Sequence, residues 1–255
     1  MKGTHNIFYS PLEQFEIALL YPMNLLGMDV SLTNSSLYIL LAVFVCFLFF
    51  YFGLTPNPTL VPSRWQYLLE QSYIFVLDMV KQQAGFKALP YFPALLSIFL
   101  FIAISNLLGL TPFGFTSTSH IIVTFLFAFS FNLGIFFLGL QLHKLHFFSL
   151  FVPSGVPKAL LPLIVVIEVI SYLIRTFSLS LRLFANMMAG HTLLQILSSF
   201  AVAFWYLGGI LALLTLFPLL LVFAVVVLEV GIALLQAYVF TILLAIYLND
   251  SINLH

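Results

Sequence analysis

From Ala159 to Leu248 the chain runs for 90 residues with only four charged side chains, Glu168, Arg175, Arg182 and Glu229. Apolar length on that scale belongs in lipid, where every backbone amide must be paired within its own segment, so the stretch is expected to cross a bilayer as helix. One crossing of a core about 30 Å thick takes about 20 residues. The run is too long for two ordinary spans and too poor in breakers for four. Its clearest interruption is Gly208-Gly209, which predicts two helices of roughly forty residues, each about 60 Å long. Pro218 falls in the early turns of the second, where proline is tolerated. Such helices must tilt steeply, bend, or break near Gly190. The expected arrangement is a steeply tilted hairpin over residues 159–250.

The rest of the chain is of the same kind: 63% of all residues are apolar and 6% charged, against about 25% charged in soluble domains. Ser36 to Leu54, Tyr91 to Leu110 and His120 to Leu140 are uncharged and span-length. Between the first two, over Arg64 to Lys87, Leu68, Leu69, Ile74, Phe75 and Val76 alternate with Glu70, Asp78 and Lys81, the pattern of a helix lying on a membrane surface. The fold class is therefore an all-α membrane protein with five transmembrane helices and one amphipathic surface helix. An N-terminal segment (1–35) leads into a peripheral group of membrane helices (36–140), and the long hairpin follows. The N-terminus has neither a signal-peptide h-region nor an Arg-rich transit pattern. Cys46 is the one cysteine, inside an apolar run, and reads as packing.

Loop charges give an orientation. Arg64, Lys81 and Lys87 precede the second span and Lys144 and Lys158 precede the long hairpin, whereas 111–119 and 192–209 hold no Lys or Arg. Every basic loop falls on one side. With five crossings the N-terminus faces the other side and the C-terminus, with Asp250, shares the basic one. Net charge is zero, so there is no footprint for a phosphate backbone and nucleic acid is not an expected partner.

Glu168, Arg175 and Arg182 recur every seven residues, which places them within about 40° of one another on a helix. Ser171, Ser178, Ala185, Asn186 and Ala189 fall on or beside that line, making a narrow stripe of charged and small residues that another helix can approach closely. His191, nine residues past Arg182, points to nearly the opposite face. Glu229 and Gln236 share a face of the second helix. These groups can be read as internal glue, with Glu168 paired to Arg175, His191 to Glu229, and Gln236 to a backbone carbonyl. Arg182 fits that reading worst. A charge at mid-bilayer costs from about 2.5 to more than 10 kcal/mol depending on method, and the chain has no spare carboxylate at its level. A counter-ion on another protein is implied. A guanidinium stays charged, whereas His and Glu titrate, so the layout suits moving protons while blocking a straight leak.

"SLSLRLFANMMAGH" (178–191), "LEVGIALLQAYVFTILLAIYLND" (228–250) and "SNLLGLTPFGFTSTSH" (105–120) resemble the signature segments of the subunit a family of rotary F-type ATP synthases, and the likeness extends over essentially the whole chain. The resemblance implies an N-terminal span, a surface helix, a transmembrane hairpin and two long tilted helices against a ring of c subunits. It implies that Arg182 faces the ring carboxylate, that Asn186 and Gln236 match the family's asparagine and glutamine, and that Glu168, Arg175 and Asp250 match polar positions of mitochondrial members. His191 and Glu229 stand exchanged relative to bacterial relatives, the mitochondrial pattern. "SPLEQFEI" and "NDSINLH" look most like plant, algal or protist mitochondrial forms. The implied location is the mitochondrial inner membrane, N-terminus in the intermembrane space and C-terminus in the matrix, beside the c ring and the other membrane and peripheral-stalk subunits.

Rival classes fare worse. A stand-alone transporter would be expected to carry inverted repeats, and the halves show no convincing one. The six histidines are scattered, with only His143 and His146 close together, in a loop ill suited to axial haem ligation. No Gly-rich phosphate loop, nucleophile elbow or Zn-like Cys/His spacing occurs; no cofactor, metal site or bond-making catalysis is expected. Asn106, Gly109 and Pro112 read as a helix end and its packing.

Overall fold

The structure, a computed structural model, describes residues 13–25, 28–29, 31–54, 62–111, 114–151, 160–207 and 214–253. Six α-helices follow one another: α1 (Asn34–Leu54), α2 (Arg64–Ala84), α3 (Phe92–Gly109), α4 (Ile121–His143), α5 (Leu161–Leu207) and α6 (Leu216–Ile252). All but α2 are long and apolar enough to cross a membrane. The charge-free runs thus mark the spans to within a few residues. Lys158, Pro112 and the Gly208-Gly209 pair lie outside the described residues.

The 47 residues of α5 and 37 of α6 correspond to about 70 and 55 Å, well beyond the hydrocarbon core, so both helices must incline to stay within it. α5 continues unbroken through Gly190, which removes the expected alternative of a break there. Pro218 sits in the first turn of α6, where its missing N–H leaves no hydrogen bond unmade.

α2 is amphipathic as its charges require. Val76, Met79, Val80 and Ala84 are buried while Arg64, Asp78 and Lys81 are exposed. The Ser63 side chain accepts from the Gln66 amide at its start, and Gly85, at φ 71°, ends it, the left-handed geometry that glycine adopts without penalty. α1 is drawn against it at Gly53, where a Cβ would lie 2.8 Å from Leu69 Cδ1.

α6 is the spine of the bundle and contacts α2, α3, α4 and α5. Its buried line, Ala233, Ala237, Phe240, Thr241, Leu244, Ala245 and Leu248, recurs at three- and four-residue steps, and the alanines and threonine admit neighbouring backbones closely. α4 meets α5 through paired polar groups, Thr124 with Ser180 at 3.2 Å and Asn132 Nδ2 donating to Thr176 Oγ1. The outward faces are apolar and exposed, including Leu163, Val166, Ile170 and Phe177 on α5, as a lipid-facing surface demands.

One end of the bundle is tied together by its C-terminus: Lys87 Nζ donates to Asn253 Oδ1 at 3.1 Å, Ser251 Oγ donates to the Ile135 carbonyl at 3.2 Å, and His143 Nε2 lies 3.1 Å from the Ile252 carbonyl. Lys87, Lys144 and the α6 terminus therefore share an end, as the loop charges require. Before α1, short antiparallel pairs join Leu19–Tyr21 to Leu32–Thr33 and Asn24–Leu25 to Met28–Asp29. The Asn34 side chain fastens this segment, accepting from Ala18 N and donating to the Glu16 carbonyl. No sequence signal pointed to these pairings.

Candidate functional site

The antiparallel packing of α5 on α6 sorts the polar side chains into successive levels. Nearest the C-terminal end of α6, Arg175 reaches both Glu168 Oε1 at 3.5 Å and Asp250 Oδ2 at 3.8 Å, and its guanidinium stands 5.7 Å from the centroid of the Tyr247 ring. The Glu168–Arg175 pair of the internal-glue reading forms, and Asp250 joins it from the other helix.

Two turns along α5, Arg182 is exposed. It makes no ion pair or hydrogen bond with any described residue. Ser178, Leu181, Ala185, Asn186 and Ala189 are exposed beside it; the stripe of small residues is an outer surface of the hairpin, and the cation projects from it.

About 6 Å further along the axis, Asn186 Nδ2 donates to Gln236 Oε1 at 2.9 Å. This replaces the backbone-carbonyl partner considered for Gln236. About two turns of α6 from Gln236, Glu229 is 6% exposed, and neither of its carboxylate oxygens has a hydrogen-bond partner among the described residues. It lies against Gly190, where a Cβ would come within 2.7 Å of Glu229 Oε1. Gly190 is thus the seat of Glu229, a role visible only once the two helices are in register. His191 does not pair with Glu229, as the glue reading supposed. Its Nε2 lies 2.9 Å from Thr116 Oγ1, in the turn before α4, and its ring meets Phe15 edge-on at 6.4 Å. Asn186, Gly190, His191, Glu229 and Leu110 share the lining of a cavity of about 320 Å³, room enough for several waters.

The site residues therefore fall into two groups. Glu168, Arg175 and Asp250 form one cluster; Asn186, His191 and Glu229 line the cavity, and Gln236 joins them through its bond to Asn186. Arg182 stands between them on α5, about 10 Å from the first and 6 Å from the second along the axis. Sequence reasoning missed Thr116, Phe15 and the contact of Gly190 with Glu229, whereas Gly109 ends α3 and packs, as read for it. The hydroxyl run "TSTS" was visible, but its partner across the bundle was not. Asn106 proves fully buried, accepting from Thr118 Oγ1 at 3.0 Å and donating to the Ala233 carbonyl at 3.4 Å, in keeping with the packing role read for it.

Residues 36–249 match the family model described as ATP synthase A chain. The chain belongs to that family. It is 50% identical over 248 residues to ATP synthase subunit a of Acanthamoeba castellanii, covering 97% of this chain and 99% of the relative. It is 49% identical over 249 residues to the same-named protein of Marchantia polymorpha (96% and 99%), and 46% over 252 residues to that of Chondrus crispus (99% and 99%). The matched region holds every candidate residue except Asp250, one position past its end.

Proposed function

We propose that this protein is the stationary half of the proton path of an F-type ATP synthase, a multi-pass subunit of the mitochondrial inner membrane that works against a rotating ring of c subunits. The basic loops and the C-terminus face the matrix and the N-terminus faces the intermembrane space. Its further partners are the other membrane and peripheral-stalk subunits and the surrounding lipid. It makes and breaks no covalent bonds.

The observation that carries this reading is the isolation of Arg182: an exposed guanidinium on a stripe of small residues, unpaired among the described residues, with one polar cluster on either side. On the intermembrane-space side, water in the cavity reaches His191 and Glu229, with Asn186 and Gln236 continuing toward the ring. On the matrix side, Glu168 and Asp250, held by Arg175, receive the proton that leaves. Arg182 attracts the deprotonated ring carboxylate and, holding its own proton permanently, does not relay one. A protonated carboxyl is released and turns into lipid, so net flow requires rotation. A membrane potential of about 150 mV supplies roughly 3.5 kcal/mol per proton, at about 2.3 kcal/mol per 100 mV.

A cysteine cross-linking series between α5 positions flanking Arg182 and the ring helix tests the arrangement directly. Cross-links should centre on the ring carboxylate's own level. A pattern in which Arg182 never meets that level removes the proposal.

A further inference from the structure

We infer that Thr116 is a positioning residue for His191: its hydroxyl holds Nε2 of the ring, leaving Nδ1 as the nitrogen that exchanges protons with the cavity shared with Glu229. This rests on the proposed role of His191 in the intermembrane-space half-channel. Thr116 is 3% exposed and its Oγ1 lies 2.9 Å from Nε2, while Nδ1 is engaged by no described residue. A neutral imidazole has one donor and one acceptor nitrogen, so fixing the partner of one fixes what the other can do.

The turn that presents Thr116 is built to hold it. Ser119 Oγ donates to the Thr116 carbonyl at 2.6 Å, and Thr118 is bonded to Asn106, which is bonded in turn to the backbone of α6. Gly109, the last residue of α3, leaves the space the threonine fills: a Cβ there would lie 2.6 Å from Thr116 Cγ2 but 3.1 Å from Oγ1. The side chain thus turns its methyl toward Gly109 and its hydroxyl toward His191. The groups around the ring are Glu229 from α6 across the cavity, Asn186 on its own helix, Phe15 from the N-terminal segment, and the hydroxyls of the 116–119 turn. Among the residues lining that cavity Glu229 is the other titratable one.

Were Thr116 merely filling volume, valine would serve equally well. The test uses the whole ATP synthase in liposomes, driven by an imposed proton gradient, with ATP synthesis rate as the readout. Thr116→Val should slow synthesis roughly tenfold, what losing one hydrogen bond on a proton carrier amounts to, and Thr116→Ser should restore it. Gly109→Ala should be as slow as Thr116→Val, because the new methyl expels Cγ2. The double variant Gly109→Ala/Thr116→Ser lacks that methyl and should recover. In a His191→Leu background, Thr116→Val should have no further effect. Wild-type speed in Thr116→Val, no recovery in Thr116→Ser, or multiplying effects of Thr116→Val and His191→Leu would each overturn the inference. Should Thr116→Val not assemble, the recovery of Gly109→Ala by Thr116→Ser decides, and equal rates there also overturn it. A His191→Leu enzyme of normal speed would instead sink the half-channel reading on which the inference stands.

Discussion

Arg175 and Arg182 share a helix and, seven positions apart, nearly the same face. Arg175 has two carboxylates within 4 Å and an aromatic ring beneath it; Arg182 has neither ion pair nor hydrogen bond among the described residues. Both are cations on an apolar membrane helix, and they differ in who supplies the compensation. For Arg175 the chain does so itself and gains a link between α5 and the end of α6. For Arg182 no described residue does, and in the proposed function the compensation arrives from outside. The proposed rotary function needs a counter-ion that comes and goes, and under it a permanently paired arginine at that position would hold the ring still.

The strongest way to break this contrast is to remove each arginine in turn. Arg182→Ala should abolish coupled ATP synthesis and leave a passive proton leak, measured by dye quenching in liposomes. Synthesis intact with a leak unchanged from the parent enzyme would end the barrier role. Next in size, Glu229→Gln or His191→Leu should slow synthesis by roughly a hundredfold or more, as expected when a group in direct proton transfer is lost, without opening a leak. Normal rates across a pH series in both would count against the cavity as the route of uptake.

What the sequence displays and what it hides divides along physical lines. The spans are legible because lipid punishes charge at each position separately, and the same rule draws the eye to Arg182 in the middle of an apolar run. The pairing of Arg175 with Asp250 is not legible, because 75 positions separate them and only the α5–α6 register brings them together. The same holds for Asn186 with Gln236. Gly109 and Gly190 give no local hint of being seats for Thr116 and Glu229, since a helical glycine looks alike whether or not a neighbour fills its missing side chain. The hydroxyl of Thr116 gives no local hint of its partner, because His191 lies 75 positions away. The strand pairs ahead of α1 are two and three residues long, too short to impose a period.

Arg175→Gln sharpens the contrast from its other side. It leaves Glu168 and Asp250 near each other without their shared cation, so removing one partner should do more harm than removing a compensated pair. We expect synthesis reduced several-fold with no leak, and partial recovery when Glu168→Gln is added. A leak in Arg175→Gln resembling that of Arg182→Ala would show that the two arginines are not distinct in role.

The smallest effect is expected beneath Arg175, at Tyr247. An aromatic face attracts a cation through its quadrupole, which phenylalanine keeps and leucine lacks. Tyr247→Phe should therefore leave both synthesis and the thermal stability of the assembled complex close to the parent. Tyr247→Leu should lower that stability by at most about 1 kcal/mol, because the carboxylates still hold the guanidinium. If Tyr247→Phe proves as harmful as Tyr247→Leu, the phenolic hydroxyl rather than the ring face is what matters. Arg175 would then owe its fixed place to Glu168 and Asp250 alone.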